Sequence, residues 1–344
     1  MSVILNLVTK KDAIDFASNY NPTTSNILDQ LFPNEKTANL VVSYKTAKKN
    51  QFAEMAEVHA YNTEAKIATR APFSEQEVKK FFIKEKIMLD EEYAILADSL
   101  KDNSEVKNLI FNDMGKMSDK VRTRTLVMKG ELLSTGKVTV KENNLDITLD
   151  QKVPVDNFFN FTWSDSKADI FGDLKAIKDK ANSKGYQLTR VVTSSSVISK
   201  MQMNENVRSA IFGVNSARIP TLAEINSIVY QMVGFTMVAF DDMYQYEKAD
   251  GTKATKRYIP EGAFICFGGA NTETLGKGLY GITPTERNAR LNATQSKNVY
   301  IMNTVWDEED PVGTWTKAEG TFVPVLADPE NLFVATITLA QSKA

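Results

Sequence analysis

The chain predicts an α+β fold with one domain inserted into another, and three observations carry that prediction. A long amphipathic stretch covers residues 104–134, a tight hairpin follows it directly, and helical and strand patterns then mix from about 158 to 320 before a single closing strand. The 344 residues give room for about two domains of about 150 residues each, with core enough to fold without staples.

Taken in order, the first thirty-odd residues read as an arm. Val3, Leu5 and Leu7, a helix candidate from Lys10 to Asn19, and Asn21-Pro22 bring no core of their own, so the segment needs a neighbour to lie on. Residues Asn39–Tyr44 and Val58–Tyr61 read as strands joined by the charged connection 45–51, a projecting hairpin or extended loop. An isolated two-stranded projection is marginal in water, so a partner surface is expected for it.

From Ser104 onward Val106, Leu109, Ile110, Met114, Met117, Val121, Leu126, Met128, Leu132 and Leu133 recur mostly at three- and four-residue steps. Lys107, Asp113, Lys116, Asp119, Lys120 and Arg124 are expected on the opposite side. Ser104 can cap the start and Gly136 can close the end, giving a single helix of about 45 Å. Lys137–Lys141 and Leu145–Leu149 then alternate around Glu142-Asn-Asn144, a hairpin signature. Beyond it, helices are expected at 167–184, 195–212 and 221–231, and strands at 188–192, 236–240 and 262–267. The closing strand, 332–340, sets Phe333, Ala335, Ile337 and Leu339 on one face.

Composition narrows the function classes. Apolar residues make up 42% and charged residues 24%, both ordinary for a packed globular chain, which sets disorder and low complexity aside. Lys plus Arg number 41 against 43 Asp plus Glu, a formal charge of −2, with no basic stripe of the kind that grips a phosphate backbone. The single Cys266 sits between apolar neighbours and reads as a reduced, buried thiol. The opening residues lack the order of a signal peptide and no apolar run reaches about 18 residues, so a cytoplasm-like compartment and no membrane are expected.

Candidate chemistry is sparse. The stretch 263–281 carries a Gly276-Lys277 step, but Asn271 stands where a phosphate loop needs its first glycine and Gly278 where it needs a hydroxyl. Cys266 as a nucleophile requires a base, and the one histidine, His59, lies far along the chain. One Cys and one His do not make a zinc set, and Asp307-Glu-Glu-Asp310 lacks calcium-loop spacing and reads as a solvated turn. The acidic neighbours Asp90-Glu-Glu92 and Asp241-Asp242 are of a kind common on surfaces. No catalytic residue, cofactor or metal is expected. An arm, a projecting loop, a lone long helix and an inserted domain describe a subunit built to contact copies of itself.

Four stretches carry a resemblance. They are Ile27-Leu-Asp-Gln-Leu-Phe-Pro33 followed by Thr37 and Val41-Val42; Ala71-Pro72-Phe73; Ile259-Pro260-Glu261 leading through a strand and glycines to Leu279-Tyr280-Gly281; and Leu326-Ala-Asp-Pro-Glu-Asn-Leu-Phe333. In order and spacing they resemble the lambda-type major capsid proteins (capsid protein E family) of tailed bacteriophages, which share the Hong Kong ninety-seven shell fold. Residues 204–231 match nothing in that pattern. The resemblance implies an N-terminal arm over 1–36, an extended loop over 37–72, a peripheral domain over 73–157 and 321–344 with a spine helix at about 104–134, and an axial domain over 158–320.

It also implies a major capsid protein of a tailed double-stranded DNA phage that self-assembles into hexamers and pentamers of an icosahedral shell. A separate scaffolding protein is expected, because the N-terminal part is too short for a fused one. A portal protein is a further partner, a decoration protein is left open, and packaged DNA is contacted only weakly. Val41, Tyr44, Lys45, Lys48, Lys49, Val58 and Tyr61 are the expected inter-subunit contacts, with no covalent crosslink. Gly268, Gly269, Gly276, Gly278, Gly281, Asp328 and Pro329 are expected to shape turns, the glycines through positive φ or close backbone approach. Two other readings stay open: a cargo-storing nanocompartment of the same fold, and a cytoplasmic α/β enzyme using Cys266.

Overall fold

A computed structural model describes residues 8–21, 26–39, 41–47, 55, 73–89, 92, 104–214, 216–248, 250–268, 274–289, 291, 297–309 and 312–339. The chain divides into two compact units: Met1–Val42 with Glu77–Lys129 and Gly276–Val325, and Ser43–Gln76 with Gly130–Leu275 and Leu326–Ala344. The division falls at other points than the expected ones. Residues 276–320, placed by sequence with the inserted domain, belong to the first unit because their strands share its sheet.

In the first unit, helix α1 (Lys10–Asn19) opens on a capping box in which the Thr9 hydroxyl accepts from the Asp12 N–H and the Asp12 carboxylate accepts from Thr9. The neighbour that this segment needs is the same chain. Ala13 and Phe16 pack with Leu89, Val106, Ile110, Met114 and Val305, while Ile14 and Ala17 pack with Val299 and Met302. Helix α2 (Ile27–Leu31), capped by Asn26, leads into β1 (Asn34–Lys36). Strand β2 (Val41–Ala47) pairs with β3 (Phe73–Lys79), most of both being assigned to the second unit, and β4 (Phe81–Leu89) of the first unit follows after the single residue Lys80. The strand reading at 39–44 is thus shifted, and the partner of β2 is 73–79; Val58–Tyr61 lie outside the described residues.

Helix α3 covers Ser104–Thr135, 32 residues or about 48 Å at 1.5 Å each. Its buried row runs Val106, Ile110, Met114, Met117, Val121, Thr125, Met128 and Leu132, a three-four spacing. Two side chains depart from expectation: Leu109 is exposed and Asp113 is buried, paired with Lys116 at 3.2 Å. Gly136 ends the helix with φ +71°, its N–H donating to the Leu132 carbonyl, and a Cβ there would press on Val153.

The sheet of this unit runs β1-β13-β15-β14, where β13 is Gly276–Tyr280, β14 Met302–Glu309 and β15 Val312–Leu326; β4 pairs along β15 as well. Strands β14 and β15 are antiparallel with Trp306 opposite Trp315, and β1 lies parallel to β13. The acidic run is therefore not a turn over its described part: Asp307, Glu308 and Glu309 are strand residues facing Thr314, Gly313 and Val312. Asp307 accepts from the Thr314 hydroxyl and Glu308 from the Trp315 indole, which is what holds these carboxylates in a ladder.

The second unit begins with the hairpin β5 (Lys137–Glu142) and β6 (Leu145–Asp150), closed by Asn143 and Asn144 at φ +49° and +63°, a two-residue turn that asparagine tolerates. Its main sheet runs β7 (Phe158–Thr162), β16 (Leu332–Thr338), β12 (Ala263–Phe267), β8 (Arg190–Thr193) and β9 (Thr236–Ala239). Helices α4 (Ile170–Ser183), α5 (Ser195–Met203), α6 (Glu205–Phe212) and α7 (Leu222–Val233) cover it, with Leu174, Ile177, Met201, Val207, Ile225 and Val229 meeting Phe264, Cys266, Phe333, Ala335 and Ile337 in one core. The single helix expected over 195–212 is two. Asn204 adopts extended geometry and its side chain accepts from the Val207 N–H, capping α6 and breaking the run. A small antiparallel pair, β10 (Met243–Glu247) and β11 (Lys253–Arg257), completes the unit.

Candidate functional site

The residues expected to touch other molecules cluster at the extended segment after β1. Val41 stands at the start of β2 and is exposed. Tyr44 and Lys45 lie on β2, while Lys48, Lys49, Val58 and Tyr61 lie outside the described residues. What the structure does define is the root of this segment. Thr37 N–H donates to the Tyr280 carbonyl at 2.9 Å, carrying the β1–β13 pairing one residue further. Across from it, the Lys80 ammonium donates to Thr37 O at 3.2 Å, to the Thr37 hydroxyl, and to Asn39 O at 2.6 Å.

The base of that root is pinned by two more lysines, Lys129 buried and Lys36 partly buried. The Lys129 ammonium, from α3, meets the Asp29 carboxylate at 2.6 Å, Asn34 Oδ1 at 2.8 Å and Phe32 O at 3.0 Å, all within one short stretch of chain. Burial lowers its pKa and the Asp29 charge opposes that shift. Lys36 reaches the Glu286 carboxylate at 2.7 Å and the Val299 carbonyl. Burial lowers Lys36 as well, again opposed by its carboxylate partner.

Sequence reasoning missed these lysines, although one carried a signal. Lys129 falls three residues after Leu126 and three before Leu132, inside the apolar rows of α3, where an unpaired charge is costly and a buried partner is implied. Lys36 and Lys80 sit in short polar stretches and carry no such mark.

The glycine-rich stretch is architecture. Gly276 and Gly278 are not turn residues; they lie within β13, at backbone conformations open to other residues. Close approach is what requires them: a Cβ at Gly276 would meet the Val325 carbonyl and the Phe32 ring, and one at Gly278 would sit 2.7 Å from Asn34 Oδ1 and 3.0 Å from the Lys129 stem. A Cβ at Gly268 would strike the Gln187 carbonyl, and Gly269 lies outside the described residues. Asp328 accepts from the Glu330 N–H, with Pro329 following at the first position of a single 3-10 turn.

Cys266 lies fully buried in β12, facing the apolar core, and burial pushes its thiol well above the ordinary range. A nucleophile so placed meets neither solvent nor substrate. Among the described residues no group of His, Cys, Asp and Glu could hold a metal ion, and no helix is long and apolar enough to cross a membrane. A surface cavity of about 400 Å³ beside α1 and β14 is lined by Lys10, Asn288, Thr304, Trp306 and Lys317, among others. That lining offers no carboxylate or histidine for acid–base work.

An α+β fold with a 32-residue helix, two mixed five-stranded sheets and separate two-stranded pairs defines the class. Solved structures share it across nearly whole chains. A candidate capsid protein from a prophage of E. coli CFT073 superposes with a TM-score of 0.63 at 14% identity, covering 96% of this chain and 99% of that one. A phage-related protein of Bordetella bronchiseptica RB50 gives 0.57 at 10%, covering 96% and 97%. A chain of the satellite phage P4 procapsid, solved with the size determination (Sid) protein, gives 0.51 at 6%, covering 96% and 92%. The fold is thus the Hong Kong ninety-seven type found in phage capsid proteins. No curated protein matches the sequence. The family model of phage major capsid protein E matches residues 15–337, and the chain belongs to that family as a capsid shell protein.

Proposed function

We propose that the chain is the major head subunit of a tailed phage, packing as hexamers and pentamers into an icosahedral shell around double-stranded DNA. The observation that carries this reading is the family match over 15–337. Residues 1–36 act as the arm, 37–72 as the extended loop, the part holding α3 as the peripheral domain, and the part from 158 to 275 as the axial domain. The loop lies across the spine helix of a neighbouring subunit and buries Val41, Tyr44, Val58 and Tyr61, with Lys45, Lys48 and Lys49 at its rim. Many modest interfaces, at about 25 cal/mol per Å² of apolar area, give weak pairs and a stable closed shell.

A net charge of −2 suits a wall that touches the genome only weakly while it is packed. Assembly takes place in the host cytoplasm with a separate scaffolding protein and a portal, and without catalysis; buried Cys266 is filler. The P4 procapsid, determined with its Sid protein, supports the idea of a separate assembly partner. Negative-stain microscopy of the expressed chain, alone and with its scaffold, tests the reading. Deleting Lys45–Glu57 is expected to abolish particles while leaving a folded subunit, and normal shells from that deletion would overturn it.

A further inference from the structure

Six charged side chains are buried among the described residues: Asp29, Lys80, Asp113, Lys129, Glu286 and Glu319. Five have an oppositely charged partner within 3.2 Å: Asp29 and Lys129 each other, Glu286 the Lys36 ammonium, Glu319 that of Lys317, and Asp113 that of Lys116. Lys80 is different. It is 3% exposed, and its three hydrogen bonds among the described residues go to neutral oxygens of Thr37 and Asn39. Those oxygens belong to the segment just before β2, and Lys80 is the one residue between β3 and β4. A single ammonium therefore joins the two ends of the stretch that runs from 37 to 80.

The lysine stem needs space, and Gly281 provides it. A Cβ at Gly281 would sit 2.9 Å from Lys80 Cδ and 3.1 Å from Nζ, and would strike the Thr321 hydroxyl. The Gly281 N–H donates to the Thr321 carbonyl, so the backbone there has no freedom to withdraw.

We propose that Lys80 is the positioning residue of the extended loop, fastening the segment that enters it to the segment that leaves it, with Gly281 kept bare to admit the lysine stem. The inference rests on reading 37–72 as a loop that reaches a neighbouring subunit.

The arrangement has a pH signature. Burial, and after it the positive charge of Lys36, lowers the Lys80 ammonium from 10.5 to about 8. Among the described residues the charged group facing it is Lys36, itself lowered by burial and tied to Glu286; Gly281, Thr321 and the Tyr280 carbonyl are neutral. The fastened state binds fewer protons than the released one between about pH 8 and 10.5, so raising the pH through that window favours fastening. Full linkage would exceed tenfold between pH 8 and 10; allowing for solvent screening, about tenfold is expected.

Hydrogen exchange of the unassembled full-length subunit from pH 7 to 10, corrected for intrinsic rates, tests this on peptides covering 36–42 and 77–82. Wild type is expected to gain about tenfold protection there between pH 8 and 10. Lys80→Met is expected to flatten that slope and lower protection at pH 10 by a similar factor, with α3 unchanged. Gly281→Ala is expected to lower root protection with the lysine still present. Wild-type protection and slope in Lys80→Met would overturn the proposal; if that variant does not fold, a flat wild-type slope or unaltered protection in Gly281→Ala overturns it. Exchange is read on the free subunit, so this failure is distinct from that of the loop reading, which shells formed by the Lys45–Glu57 deletion would reveal.

Discussion

The second unit encloses Phe264, Cys266, Phe333, Ala335 and Ile337 under apolar helix faces, and its buried polar residues are Gln151, Asn157, Thr193, Ser194 and Asn204, none of them charged. The first unit encloses every buried charge among the described residues. Apolar packing is tolerant in geometry: a side chain of about the right size and shape settles into it. A buried ion has few acceptable positions, because it must meet its partner to offset desolvation. The first unit is where residues 8–21 and 26–39 pack against the rest of the chain, and there the charges fix which segment meets which.

The contrast breaks most visibly at Asp29. Asp29→Ala leaves Lys129 buried without its counter-charge, and a loss of about 3–5 kcal/mol is expected in denaturant unfolding of the unassembled subunit. The joint replacement Asp29→Leu with Lys129→Met is expected to recover most of it. If the single variant costs under about 1 kcal/mol, the first unit does not depend on its charges.

In the second unit, Cys266→Ala removes one sulfur from a packed apolar face. A cost of about 1 kcal/mol and normal particle formation are expected, and wild-type Cys266 should resist thiol reagents until the unit unfolds. Loss of particles in that variant would argue for a role beyond packing.

The smallest effect is expected at the surface of the same unit. Bonds from Lys180 and Lys184 hold the Asp156 carboxyl down at about 2. Its folded value lies below the free one, so its contribution is present above about pH 4 and is lost as the pH falls toward 2. The side chain is half exposed, so Asp156→Asn should remove only a few tenths of a kcal/mol from the acid slope of unfolding.

Legibility in the sequence follows the same contrast. Helix α1, helix α3, the 137–150 hairpin and the closing strand were readable because apolar periodicity or a turn pair marks them locally. The break at Asn204 was not, since apolar residues continue through it and only the cap geometry reveals the boundary. Glycines 276 and 278 resemble a loop in sequence, yet sit in a strand, where Phe32, Asn34 and the Lys129 stem leave no room for a Cβ. The lysine fastenings were hidden for a related reason: Lys129 and Asp29 are 100 positions apart, and nothing local in either stretch names the other.

Lys129 draws on Asp29, Phe32 and Asn34 together, and this sets how segment 26–36 can come to rest on α3. Half-made, such a junction leaves an ion dehydrated with too few ligands, which is worse than leaving it wet. A half-docked stretch is therefore disfavoured against both the docked and the free one, which sharpens the step by which this segment comes to rest.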